Sequence, residues 1–206
     1  MNRAEIDTPH GPARVELHCA PEGRAGLLLG HGAGGGVEAP DLVAATRGAT
    51  AAGVHVALVE QPYRVAGRRA PAPARQLDAA WLAVVRELSS AWFDGLPLLF
   101  GGRSSGARVA CRTADAGEAV GVLCLAFPVH PPGKPDKTRQ PELDEVRVPT
   151  LVVQGRTDPF GQPDPGHLRE IVGVAGDHSL KGELPVISRS VQEWLGRILR
   201  PLDNLD

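Results

Sequence analysis

In Gly102-Arg103-Ser104-Ser105-Gly106 a serine stands between two glycines, directly after the apolar run Leu98-Leu99-Phe100-Gly101. Gly-x-Ser-x-Gly between a strand and a helix is the arrangement of a nucleophile. The turn is sharp, it lifts the central hydroxyl above a sheet, and its glycines let strand and helix pass close together. Ser104 is the central residue and therefore the candidate nucleophile; Ser105 offers its backbone N–H. The helix that follows would aim free N–H groups and the positive end of its dipole at the same point, which favours an oxyanion. Taken alone, Gly-Gly-Arg-Ser-Ser-Gly reads as a flexible loop; the flanking strand and helix favour the nucleophile.

A serine hydroxyl needs a base, and the base needs an orienting acid. Downstream, the run Thr150-Leu-Val-Val-Gln-Gly leads into Asp158, and Ala175-Gly-Asp-His178-Ser-Leu places an imidazole in a turn. Ser104, Asp158 and His178 thus follow the order nucleophile, acid, base at successive strand ends. His178 is expected to deprotonate Ser104 and then to protonate the leaving group. His167 ranks second as base, and Asp164 and Asp177 compete as acid. Upstream, Gly30-His31-Gly32-Ala33-Gly34-Gly35-Gly36 can aim backbone N–H groups without side-chain obstruction. One oxyanion donor is assigned to Ala33 or Gly34 and the other to Ser105. His31 is expected to pack beneath this loop. The loop lacks the Lys-Ser/Thr ending of a phosphate-binding P-loop and the third glycine of a dinucleotide fingerprint.

These motifs require a scaffold. Residues 13–19 alternate apolar and polar side chains, as in a half-exposed strand near a sheet edge. Residues 26–30, 54–59, 97–102, 120–127 and 150–155 are short apolar runs, read as strands and, for the first two, as strands buried on both faces. Helical patterns cover 41–52, 74–92, 105–114 and 186–199. Residues 61–73 and 128–147 are proline-rich loops, the second with little helix, and 168–174 is ambiguous, with a strand favoured at its end. This alternation predicts an α/β fold: a mostly parallel central sheet flanked by helices on both faces, in one domain over 1–206, with 1–12 and 201–206 as possible flexible ends. Ligands bind such sheets at the carboxyl ends of the strands, where every motif above falls.

Composition narrows the function. The chain has 206 residues and net charge −2, enough for one sizeable core and a poor match to a nucleic-acid footprint. Arg64, Arg68 and Arg69 read first as a solvated basic loop. Three cysteines, none in Cys-x-x-Cys spacing, fit a reducing cytoplasm. The first residues lack the apolar core of a signal peptide, and there is no run of about 18 apolar residues to span a membrane. No metal-ligand pattern such as His-Glu-x-x-His occurs, so neither metal nor cofactor is expected.

Leu-Gly-His-Gly-Ala-Gly-Gly, Gly-Gly-Arg-Ser-Ser-Gly, Gln-Gly-Arg-Thr-Asp-Pro-Phe-Gly and Gly-Asp-His-Ser-Leu together resemble the dienelactone-hydrolase-like branch of the α/β-hydrolases. The nearest resemblance is to a small subgroup that includes a testis-expressed hydrolase-like protein and a chromatin acetyltransferase complex subunit. It runs from about Arg14 to the last helix. Dienelactone hydrolases proper carry a cysteine nucleophile where this chain has Ser104, so the resemblance implies ester or thioester hydrolysis rather than dienelactone turnover. The short segment between Phe127 and Thr150 leaves no room for a large cap.

The expected activity is esterase or thioesterase chemistry on a small molecule through an acyl-enzyme, with no cofactor. Tyr63, Arg64, Val129 and Phe160, at other strand ends, are expected to line the substrate pocket. Arg64, Arg68 and Arg69 would draw an anionic ester, while Arg103 is expected to brace the turn. Two other readings stand beside this one: a non-catalytic binding or scaffold protein on the same fold, and a cofactor-free haloperoxidase-like activity using the same three residues. The oligomeric state is not legible.

Overall fold

The computed structural model describes residues 2–200. Its strands are β1 (Asn2–Ile6), β2 (Ala13–His18), β3 (Ala25–Gly30), β4 (Val54–Glu60), β5 (Leu98–Arg103), β6 (Gly121–Leu125), β7 (Thr150–Gly155) and β8 (Arg169–Val174). They form one sheet in the order β1-β2-β4-β3-β5-β6-β7-β8. The β1–β2 and β2–β4 pairs are antiparallel, and every pair from β4 across to β8 is parallel.

The uninterrupted apolar runs exist because the middle of the sheet is covered twice. Helices α1 (Pro40–Ala51) and α6 (Leu184–Ile198) cover one face. On the other lie α3 (Ala74–Ser90), α4 (Ser105–Thr113) and the short α5 (Gln140–Asp144). Side chains alternate across a strand, so Leu27 and Leu29 join the layer of α1 and α6, while Leu28 joins Trp81 of α3 and Ala107 of α4 on the opposite face. Trp81 is fully buried and meets Phe100 of β5 edge to face, with ring centroids 5.7 Å apart.

Three segments depart from the sequence expectations or sharpen them. Residues 2–6, assigned to a possible flexible end, form β1 and pair residue by residue with β2, Ile6 opposite Ala13. A five-residue strand at an edge has too few side chains for its period to stand out, and pairing with β2 supplies the order. The 61–73 loop opens with a single turn of helix, α2 (Pro62–Val65), begun by a proline at its first position. The ambiguous 168–174 segment is strand β8, and residues 201–206 lie outside the described residues.

The chain leaves β3 to one side, to β4, and returns to the other side as β5. This reversal opens a crevice beyond the carboxyl ends of β3 and β5. The glycine-rich loop after β3 and the turn after β5 therefore meet there, although more than sixty residues separate them in the sequence. Among the described residues no cap covers the crevice: the β6–β7 connection carries only α5. Among the described residues no helix is long and apolar enough to cross a membrane.

Candidate active site

Ser104 sits between β5 and α4 at φ 52° and ψ −108°. A non-glycine residue at positive φ is strained, and the strain here is held by close packing on both sides. A Cβ on Gly102 would stand 2.6 Å from the Gly30 carbonyl oxygen, and one on Gly106 would collide with that same oxygen. Only glycines at 102 and 106 let the elbow press against the end of β3. The Ser104 N–H donates to the Leu125 carbonyl at 2.9 Å, anchoring the elbow to β6.

The Ser104 hydroxyl starts a chain of hydrogen bonds. His178 Nε2 lies 2.9 Å from Ser104 Oγ, and His178 Nδ1 lies 2.8 Å from Asp158 Oδ2. A carboxylate can only accept, so Nδ1 carries the proton and donates, leaving Nε2 to accept from the serine. The Asp158 side chain is fully buried and that of His178 is 17% exposed. Two more donors fix the plane of the carboxylate: the Phe160 N–H at 2.8 Å from Oδ1 and the Gln154 amide nitrogen at 3.0 Å from Oδ2. The Phe160 ring stacks on the imidazole, centroids 4.0 Å apart and planes 27° from parallel.

The competing residues stand elsewhere. His167 is exposed in the loop before β8. Asp177 is held in its own turn by the Ser179 hydroxyl and N–H, which together keep its carboxyl below the usual carboxylate range. Asp164 is held through its own N–H by the Gln140 side chain.

The loop after β3 is braced from below. His31 is buried, with Nδ1 2.8 Å from the Gly32 carbonyl and Nε2 accepting from the Gln61 N–H at 3.0 Å. Both ring nitrogens are thus committed to backbone, and burial lowers its pKa. The Gly35 N–H bonds back to Gly32 at 3.3 Å, so Ala33 and Gly34 form the corner of a tight turn. A Cβ on Gly32 would come within 3.6 Å of the Ser104 Cβ, so this turn adjoins the nucleophile. Ser105 is the first residue of α4, where an N–H has no acceptor within the helix.

The four residues expected to line a pocket fall into different settings. Tyr63 is buried, and its hydroxyl donates to the Ala33 carbonyl at 3.0 Å, bracing the turn. Arg64 folds back on its own loop, with Nη1 3.5 Å from the Arg68 carbonyl. Val129 is buried beside the base of the β6–β7 connection. Phe160 is half-buried against His178.

Two residues at the site were missed in the sequence. Gln154 is fully buried in β7, and its amide nitrogen reaches the Phe127 carbonyl (3.1 Å) and the Gly161 carbonyl (2.9 Å) besides Asp158. Its signal was legible: a glutamine inside Leu-Val-Val-Gln-Gly is a polar group that a buried strand must satisfy. Asp41, near the start of α1, is fully buried and pairs with Arg103 Nε at 2.8 Å. Burial raises its pKa and Arg103 opposes that rise. Nothing local to Pro-Asp-Leu distinguishes it from an ordinary acidic residue in a first helical turn.

The fold agrees with that of known proteins. A family model for the alpha/beta hydrolase domain matches residues 23–183. Among solved structures, an alpha-beta serine hydrolase homologue from Coxiella burnetii superposes with a TM-score of 0.75 at 17% identity, covering 93% of this chain and 96% of its own. An α/β serine hydrolase without lid from Xanthomonas campestris gives 0.74 at 20% identity, covering 95% and 94%. A dienelactone hydrolase from Anabaena variabilis gives 0.71 at 17% identity, covering 95% and 96%. At these identities the structures speak for the fold, and together with the family match they lead to one statement: the chain belongs to the alpha/beta hydrolase family.

Proposed function

We propose that this chain is a serine hydrolase that cleaves a small carboxylic ester or thioester through an acyl-enzyme, with Ser104 as nucleophile, His178 as base and Asp158 as orienting acid. The single observation that carries the reading is the continuous chain of contacts, 2.9 Å from Ser104 Oγ to His178 Nε2 and 2.8 Å from His178 Nδ1 to Asp158. His178 takes the hydroxyl proton as Ser104 Oγ attacks the carbonyl carbon, and the imidazolium returns that proton to the leaving alcohol or thiol. Water, deprotonated by the same imidazole, then releases the acid and regenerates the serine. The oxyanion is received by the N–H of Ser105 and that of Ala33 or Gly34, supported by the turn's place beside Ser104. No step calls for a metal or organic cofactor.

An uncapped crevice suits a small substrate, and we assign Tyr63, Arg64, Val129 and Phe160 to its walls, a reading supported for Phe160 by its stacking on His178. Est1E from Butyrivibrio proteoclasticus, whose structure with ferulic acid bound is known, superposes with a TM-score of 0.74 at 16% identity, a likeness of fold in which that protein takes up a small carboxylic acid. Within the family we place the chain in the dienelactone-hydrolase-like branch, nearest the testis-expressed and acetyltransferase-subunit subgroup, as one domain over 1–206. The free thiols Cys19, Cys111 and Cys124 support a reducing cytoplasm.

Labelling with a fluorophosphonate probe followed by peptide mapping tests this directly. The expected result is one adduct, on Ser104, absent in Ser104→Ala. A well-folded wild type that fails to label would overturn the hydrolase reading and favour a non-catalytic binding protein on the same fold.

A further inference from the structure

We propose that Arg103 is a positioning residue: anchored by Asp41, it clamps the main chain of the base-bearing turn against the elbow and so sets His178 over Ser104. The proposal rests on the hydrolase reading of Ser104 and His178. One guanidinium touches three segments that meet nowhere in the sequence. Its Nε forms an ion pair with Asp41 of α1 at 2.8 Å, and its Nη2 donates to the His178 carbonyl at 2.8 Å. A Cβ on Gly32 would lie 2.8 Å from its Nη1, so the glycine-rich turn packs on the third corner.

Burial separates this pair from a surface salt bridge. The Asp41 side chain is fully buried and that of Arg103 is 19% exposed. Taking two charges out of water costs much of what their attraction returns, so such a pair is weak evidence for stability. Its value lies in geometry: a planar fork fixed at one edge by a buried carboxylate presents its other donors in one direction. The His178 carbonyl receives one of them. The turn that carries it is closed on itself by the Ser179 N–H to Asp177 Oδ1 and the Leu180 N–H to the Asp177 carbonyl. It is tied to the end of β7 by the Thr157 N–H and hydroxyl, which donate to the Gly176 carbonyl at 3.1 and 3.0 Å; Arg103 is what ties it to the elbow's own strand. Arg103 is therefore engaged on protein groups through both Nε and Nη2.

The test compares wild type, Arg103→Lys, Asp41→Asn and the double variant. Lysine keeps a charge beside Asp41 but has no fork with which to hold Asp41 and the His178 carbonyl together. Fluorophosphonate labelling of Ser104 is measured as a rate per folded molecule, alongside the low-field proton resonance of His178 Nδ1–H. The expected result is a fall of about 10- to 100-fold in the labelling rate of Arg103→Lys, the scale of a misplacement of about 1 Å, with the resonance shifted or broadened by exchange. Asp41→Asn should fall less, and the double variant no further than Arg103→Lys, because the two act as one unit. Labelling at the wild-type rate with an unchanged resonance in Arg103→Lys overturns the clamp. Failure of wild type to label defeats the hydrolase reading instead, and the resonance alone then decides the clamp. If Arg103→Lys does not fold, the comparison of wild type with Asp41→Asn decides on the same two readouts.

Discussion

His31 and His178 both follow a glycine or Gly-Asp step at the carboxyl end of the sheet, yet the structure gives them opposite settings. His178 is partly open, with one nitrogen on a buried carboxylate and the other on a hydroxyl. His31 is buried, with both nitrogens on backbone groups. An imidazole whose partners are a carboxylate and a serine can move a proton between them. One whose partners are a carbonyl and an amide N–H has nowhere to send it. Residue type and motif do not separate the two; partners do.

The comparison can be broken most sharply at the histidines themselves. His178→Ala should lower fluorophosphonate labelling of Ser104 by about 10⁴-fold or more while leaving the urea midpoint close to wild type. His31→Ala should do the reverse. It leaves the Gln61 N–H without its acceptor and opens a cavity, costing about 2–4 kcal/mol in urea unfolding, while the labelling rate per folded molecule changes far less. If both variants lost labelling equally, the division between working and supporting histidine would be wrong.

A pH series sharpens the same contrast. Burial lowers the pKa of His31 in the folded chain, so the unfolded chain binds a proton that the folded one does not. His31 therefore contributes stability that is fully present above its unfolded value of about 6.5 and is lost as the pH falls through its lower folded value. The urea midpoint should decline between pH 7 and pH 5. His31→Gln, which has no proton to gain, should decline less steeply over that window. Equal slopes would show that His31 is not held neutral.

The smallest effect is expected at Phe160. Its ring lies on the face of the imidazole, a stacked contact worth about 0.5–1 kcal/mol that holds the imidazole in place over Ser104. Phe160→Leu should slow labelling about two- to fivefold at an unchanged thermal midpoint, and Phe160→Tyr should retain the rate. A Phe160→Leu variant at wild-type rate would return Phe160 to the simpler role of lining the crevice.

The sequence by itself determined the fold class and three residues that the structure brings together. Apolar runs such as Gly26–Gly30 and Thr150–Gly155 are continuous because each strand is covered on two faces, a constraint local enough to read in five or six residues. Gly102 and Gly106 were legible from the elbow motif they flank, although the close approach that requires them, to the Gly30 carbonyl, is made only in the fold. Ser104, Asp158 and His178 could be ordered because a parallel sheet delivers successive strand ends to one side. Tertiary structure alone decided the rest. His178 rather than His167 reaches Ser104, the Tyr63 hydroxyl braces the glycine-rich turn, and Asp41 pairs with Arg103. Each of these depends on the direction of a side chain between segments tens of residues apart. Hydrophobic period records which face of an element is buried but not which polar group waits across the crevice, and that information first exists when β3 and β5 lie side by side.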